Sequence, residues 1–199
     1  MIKILLSMVV TAFAIGPVNF LLGQDSSDVI NVSRYTPPPN WGHVQDIDFV
    51  NGGIMILTEN DRLVHITLDE SFNARETFNG MLQFPDELNP RSLQRINVHD
   101  DIAFFSFSEP GGLFAFDVSD PASPEFISWL DTGEIYVSAD KNIVQDNLFF
   151  AVSADGENVH IIDIADPNNM RVVYEHEFDG LAHSIDVQDC DILDYGLQF

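Results

Sequence analysis

From residue 43 onward the chain alternates short apolar runs with polar punctuation, and within the runs apolar and polar positions either alternate or give way to a continuous apolar core. That is the pattern of strands and hairpins. One run is repeated: Leu113-Phe114-Ala115-Phe116-Asp117-Val118-Ser119-Asp120-Pro121 returns 46 residues later as Val159-His160-Ile161-Ile162-Asp163-Ile164-Ala165-Asp166-Pro167. A weaker copy, Leu63-Val64-His65-Ile66-Thr67-Leu68-Asp69, precedes the first by 50 residues and lacks the proline. A strand that recurs at this interval and ends on an Asp-Pro turn marks a repeat array. Its near-continuous apolar character predicts burial on both faces, as in the middle of a stack of sheets.

The rest of each unit follows the same order. A short first strand is predicted at Ile47-Asp48-Phe49, Ile96-Asn97-Val98, Ile143-Val144 and Ile185-Asp186-Val187. Polar turns follow at Asn51-Gly52-Gly53, Asp100-Asp101, Asp146-Asn147 and Asp189-Cys190-Asp191, residue types that tolerate the left-handed backbone of a tight hairpin. Second strands start at Ile54, Ile102, Leu148 and Ile192, and the repeated phrase supplies the third. After the Asp-Pro loop comes a more polar fourth strand around Thr77-Phe78, from Glu125 to Leu130, and from Arg171 to Phe178. Four antiparallel strands in a unit of this length make one propeller blade. The predicted class is all-β, a β-propeller of four-stranded antiparallel blades at 43–90, 91–135 and 136–180, with a partial fourth at 181–199.

The third strands Leu113-Phe114-Ala115-Phe116-Asp117 and Val159-His160-Ile161-Ile162-Asp163, each followed by Asp-Pro, resemble the LVIVD repeat of bacterial and archaeal surface and secreted proteins. The resemblance covers roughly residues 43 to 193, and Thr67 replaces the aspartate in the first copy. It implies an extracytoplasmic propeller and no defined activity.

Residues 24–42 hold the strand-like Val29-Ile30-Asn31-Val32-Ser33-Arg34-Tyr35 and the loop Thr36-Pro37-Pro38-Pro39-Asn40-Trp41, the position of a fourth strand that would help close a last blade. Three blades and a part do not close a ring of the usual four to eight. The expectation is therefore a fragment of a longer chain or closure by another copy, with self-association through an open strand edge. Before this segment, Met1-Ile2-Lys3 leads into an uncharged stretch from Ile4 to Gly23, read as a signal peptide over 1–23. Ala14 and Gly23 are candidate cleavage positions, and an uncleaved N-terminal anchor is the alternative. The expected location is secreted, periplasmic or cell-surface, with no membrane insertion of the mature domain.

Eight Lys and Arg against 32 Asp and Glu give a formal net charge of -24. Nucleic acid is excluded as a partner, because phosphate binding depends on cationic side chains. Sixteen Phe and 45% hydrophobic residues argue for a packed core rather than a disordered acidic chain. Cys190 is the sole cysteine, so no intrachain disulfide contributes.

Candidate binding residues follow from position. Asp48, Asn97 and Asp186 stand at one place in three first strands, where they form a polar ring able to hold a cation or water, or simply turn away from the core by alternation. The apolar Ile143 interrupts that ring. His43 and His183 precede first strands, as ligands, acid-base groups or ordinary loop residues. Asp186, Asp189, Asp191 and Asp194 crowd one segment and read either as weak calcium ligands or as a solvated turn, since their order does not match an EF-hand loop. No hydrolase elbow, phosphate loop or dinucleotide fingerprint occurs. Two functions remain: a non-enzymatic binding scaffold for a protein or glycan, needing no cofactor, or a propeller hydrolase or lyase on extracellular polysaccharide, with calcium as the one cofactor in view.

Overall fold

A computed structural model describes residues 18–22, 30–35, 42–50, 52–60, 62–69, 73–88, 91–109, 111–132, 143–152, 158–177, 179, 185 and 187. Among them the chain runs β1 (Val18–Leu22), β2 (Ile30–Tyr35), β3 (Val44–Val50), β4 (Gly53–Thr58), β5 (Arg62–Leu68), β6 (Ala74–Met81), β7 (Arg91–His99), β8 (Ile102–Glu109), β9 (Gly112–Asp117), β10 (Glu125–Asp131), β11 (Ile143–Gln145), β12 (Leu148–Val152), β13 (Asn158–Asp163) and β14 (Arg171–Glu177). Three four-stranded antiparallel sheets result, β3-β4-β5-β6, β7-β8-β9-β10 and β11-β12-β13-β14, with β1 and β2 as a separate antiparallel pair. Each sheet is one blade, and strand follows strand in chain order from its inner to its outer edge. The partial fourth unit, apart from Ile185 and Val187, lies outside the described residues, as do most of the leader-like stretch and the Pro-rich loop. Val18–Leu22, within the stretch read as a signal peptide, forms β1 and pairs with β2.

Local chemistry explains the turns. The first hairpin of each blade passes through the left-handed region at Gly52 (φ +74°), Asp100 (+52°), and Asp146 and Asn147 (+51° and +62°). Glycine reaches this region freely, and Asp and Asn reach it at modest cost. The Asp-Pro phrase builds the same loop twice. Asp117 Oδ1 accepts the Ser119 N–H at 2.8 Å, Asp120 Oδ1 accepts the Ala122 N–H at 3.0 Å, and the Asp120 carbonyl accepts the Ser123 N–H at 2.9 Å. In the third blade Asp163, Asp166 and the Asp166 carbonyl repeat these bonds to Ala165, Asn168 and Asn169. Val118 and Ile164 then donate to the Asp101 and Asn147 carbonyls of the first hairpin, which ties both turns of a blade together. Hydrogen bonds from Ser119 hold the Asp117 carboxyl below its ordinary range, and Arg171, then the Ala165 N–H, do the same for Asp163. The first blade lacks the phrase, and there Asp69 Oδ1 accepts the Asn73 N–H at 2.9 Å.

Period-two alternation divides every blade into two apolar faces. Met55, Leu57 and Leu63 of the first blade meet Ala103, Phe105, Phe114 and Phe116 of the second. Phe104, Leu113 and Ala115, on the opposite face of the second blade, meet Phe149, Ala151 and Ile162 of the third. The blades therefore stack face to face, and the third strands are buried on both sides, as their apolar runs predicted. Phe84, in the link to the second blade, inserts edge-on against Phe114 and Phe116 at 5.6 and 5.3 Å between ring centroids. A bulge recurs in each outer strand, leaving Thr77, Ile127 and Val173 without a partner across the ladder. Bulges add twist and make an outer edge a poorer template for foreign strands.

Candidate functional site

Ladder register gives Asp48, Asn97 and Ile143 equivalent places, opposite Met55, Phe104 and Phe150. Strand side chains stand on the sheet faces, so a first-strand residue meets the neighbouring blade, and only the backbone edge looks toward the centre of a ring. Asp48 shows the consequence. Its Oδ2 accepts the Val98 N–H of β7 at 2.6 Å while Oδ1 accepts the Phe49 N–H at 2.8 Å. Asp46, two residues earlier on the same face, accepts the Ile96 N–H of β7 and the Ile47 N–H, each at 2.9 Å.

β7 is the inner edge of its sheet, and alternate N–H groups along such an edge have no ladder partner. Asp46 and Asp48 supply that partner across the seam, with side chains in the role of a strand. Burial pushes both carboxyls above their ordinary range, against the lowering effect of these hydrogen bonds and, at Asp46, of the nearby Arg95. Asn97 faces the third blade and is partly buried.

His43 lies just before β3. Its Nδ1 is 3.1 Å from Glu59 Oε1, its N–H donates to Glu59 Oε2 at 3.2 Å, and its carbonyl accepts the Glu59 N–H at 3.0 Å. The pair clasps the incoming chain to the β4–β5 turn and is well exposed. Five extended residues place His43 roughly 16 Å from Asp48 along the strand. That exceeds the reach of a bridging water, so the two cannot act on one atom. His183, Asp186, Asp189, Asp191 and Asp194 lie outside the described residues. Among the described residues no three His, Cys, Asp or Glu side chains gather as a metal site, and no helix is long and apolar enough to cross a membrane.

Two participants escaped the sequence reading. Asp46 has a legible signal, a second carboxylate at the i,i+2 spacing of Asp48, and Glu59 has none. His65 is a third case, since scattered histidines gave no reason to single it out. It is 3% exposed on the face that meets the second blade, and its Nδ1 shares a hydrogen bond with the Thr77 hydroxyl. Burial lowers its pKa, opposed by the Val50 carbonyl and the Asp120 carboxylate of the second blade.

These shifts have opposite signs in a stability profile. A raised carboxyl pKa in the fold means that the folded state takes up the proton first. The contribution of Asp46 and Asp48 is thus full below the unfolded value, near 3.8, and is lost as pH rises through the raised values. His65 stays neutral in the fold, so its contribution holds above its unfolded value of 6.5 and fades as pH falls below it. Urea unfolding of wild type and Asp48→Asn from mild acid to pH 8 tests the first part: the variant should gain on wild type as pH rises. A constant difference would show that the Asp48 carboxyl titrates alike in both states.

No protein-family model and no curated protein matches the chain. Solved structures do, 245 chains of them. One is a computationally designed protein, Ika8, at 10% identity and a TM-score of 0.64 over 92% of this chain and 50% of that one. Another is a protein from Lactobacillus plantarum, at 10% identity and a TM-score of 0.65 over 84% of this chain and 51% of that one. The fold is that of propeller blades. At such identity the likeness carries the fold alone, and a fold so widely shared selects no activity. The chain spans about half the length of these two structures.

Proposed function

We propose that this protein is an exported β-propeller repeat module, of the LVIVD type that its third strands resemble, and that it acts as a non-enzymatic scaffold for binding a protein or glycan. The observation that carries this reading is where the polar side chains go. Asp46 and Asp48 are committed to the Ile96 and Val98 N–H groups, Asp117, Asp120, Asp163 and Asp166 to their own loops, and His43 to Glu59. Groups that would serve chemistry are holding strands and turns in place, and His43 and Asp48 stand too far apart for joint acid-base work. The two Asp-Pro loops, held by their own hydrogen bonds, are exposed on a strongly anionic chain, which favours partners with a complementary cationic surface.

The test is binding and turnover measured together. Full-length protein is presented to polysaccharides and to purified envelope proteins, with product analysis on every polysaccharide that binds. Saturable binding without chain cleavage, weakened by salt and retained by His43→Ala, is the expected result. Release of new reducing or unsaturated ends would establish an enzyme instead.

A further inference from the structure

The seam between the first two blades holds ionisable side chains at two depths. At its inner end stand Asp46 and Asp48, with Arg95 near Asp46. Farther out, on β5, stands His65, which is 3% exposed and lies directly opposite the fully buried Met55. Gly53 makes room for its ring: a Cβ there would stand 2.5 Å from His65 Nε2 and 2.5 Å from the Ile66 carbonyl oxygen. Nδ1 shares a hydrogen bond with the Thr77 hydroxyl. Nε2 is buried beside Gly53, with the Val50 carbonyl near it but outside hydrogen-bonding geometry. The second blade meets this face with Ala103, Phe105, Phe114 and Phe116, none of them ionisable. Met55 and Phe78, the partners of His65 across the two ladders, carry no charge either. The charge that reaches the ring from the second blade is that of Asp120, which is exposed and accepts the Ala122 N–H. Among the described residues His65 forms no ion pair.

We propose that His65 is an acid-sensitive lock on the seam between the first and second blades, closed while the imidazole is neutral and released when the ring takes up a proton. The neutral ring is an ordinary packing group, and the Thr77 hydroxyl serves it equally well as donor or acceptor. An imidazolium is different. Its charge would have lost its water with no carboxylate in exchange, so the protonated ring is stable only where solvent reaches it. Gly53 stands against Nε2 and the second blade covers the face, so hydrating the ring requires the two blades to part. Burial holds the pKa of the ring below 6.5, and release therefore falls in mild acid. Asp46 and Asp48 act in the same seam with the opposite sign, so the effect of the histidine is read as a difference from a protein that lacks it. Acid thus acts on one seam of the array rather than on the fold as a whole.

Methionine oxidation reads the opening directly, since hydrogen peroxide attacks a thioether according to its exposure and the thioether does not itself titrate. Met55 reports the first seam. Met170, 7% exposed and packed in the second seam, reports its neighbour, and Met81, 57% exposed, gives the unprotected rate. Sulfoxide formation is followed by peptide mass spectrometry in wild type and His65→Gln from about pH 7.5 to about pH 5. Relative to Met81, the wild-type-to-variant ratio of Met55 oxidation rates should rise about tenfold on acidification, while the same ratio at Met170 stays constant. A flat ratio at Met55, or an equal rise at Met170, overturns the proposal. So does a His65 ring whose proton resonances titrate at or above 6.5 in the wild-type protein, a measurement that stands even where His65→Gln does not fold.

Discussion

Phe116→Ala is expected to lower the free energy of unfolding by about 4 kcal/mol, the usual cost of deleting a buried aromatic ring and leaving the cavity. Phe116 is fully buried on β9, on the face that meets the first blade. Its ring makes edge contacts with Phe84 at 5.3 Å, Phe105 at 5.5 Å and Phe126 at 5.5 Å. These neighbours come from the inter-blade link, the second strand and the fourth strand, so the deletion loosens the seam as well as the sheet. Edge-to-face pairs each contribute about 1 kcal/mol beyond area burial, which places the site toward the upper part of the range. Phe116→Leu keeps most of the volume and should cost less than half as much. Urea unfolding of both variants is the measurement, and a loss below about 1 kcal/mol for the alanine variant would mean that this cluster does not hold the seam.

Gly112→Ala should cost about 3 kcal/mol, through overpacking and strain rather than a cavity. Gly112 opens β9 at φ +147°, and an added Cβ would stand 2.4 Å from Trp129 Nε1 and 2.5 Å from the Leu130 carbonyl oxygen. The indole stacks on Phe114 at 5.6 Å and an interplanar angle of 17°, so it cannot retreat without giving up that contact. The carbonyl belongs to the paired backbone of β10 and is no freer. Gly52→Ala is the informative comparison, because Gly52 sits at φ +74° with nothing within 4 Å of the added carbon. Only the left-handed backbone penalty of about 1–2 kcal/mol then applies. If the two variants lose equal stability, the close approach at Trp129 is not what makes Gly112 necessary. A red shift of the tryptophan emission in Gly112→Ala, absent in Gly52→Ala, would report displacement of the indole directly.

Blades were legible in the sequence because period-two patterning and tight-turn chemistry are local. Asp100, Asp146 and Asn147 adopt the left-handed conformation that their residue types permit, and the Asp-Pro phrase makes the same hydrogen bonds wherever it occurs, without help from distant residues. Continuous apolar third strands likewise announced burial on both faces, since no one-sided sheet tolerates that composition. The seams were not legible. Asp46 and Asp48 look like any alternating polar pair until β7, 50 residues away, brings its free N–H groups to them. Which way an alternating residue points depends on whether the next sheet lies beside its face or its edge.

The same division holds at the N-terminus. An uncharged stretch from Ile4 to Gly23 satisfies the composition of a leader and of a buried strand equally well, because both need only apolar residues. Val18–Leu22 pairs in register with β2, and β2 carries its bulge at the third residue, as β10 and β14 do. Sequence alone thus determined the repeat, the strand order within a blade and the turn chemistry, all set by contacts between near neighbours along the chain. Only the tertiary structure decided which carboxylates are committed to blade seams and that Glu59 clasps His43, because both follow from the relative placement of strands that pattern and propensity do not encode.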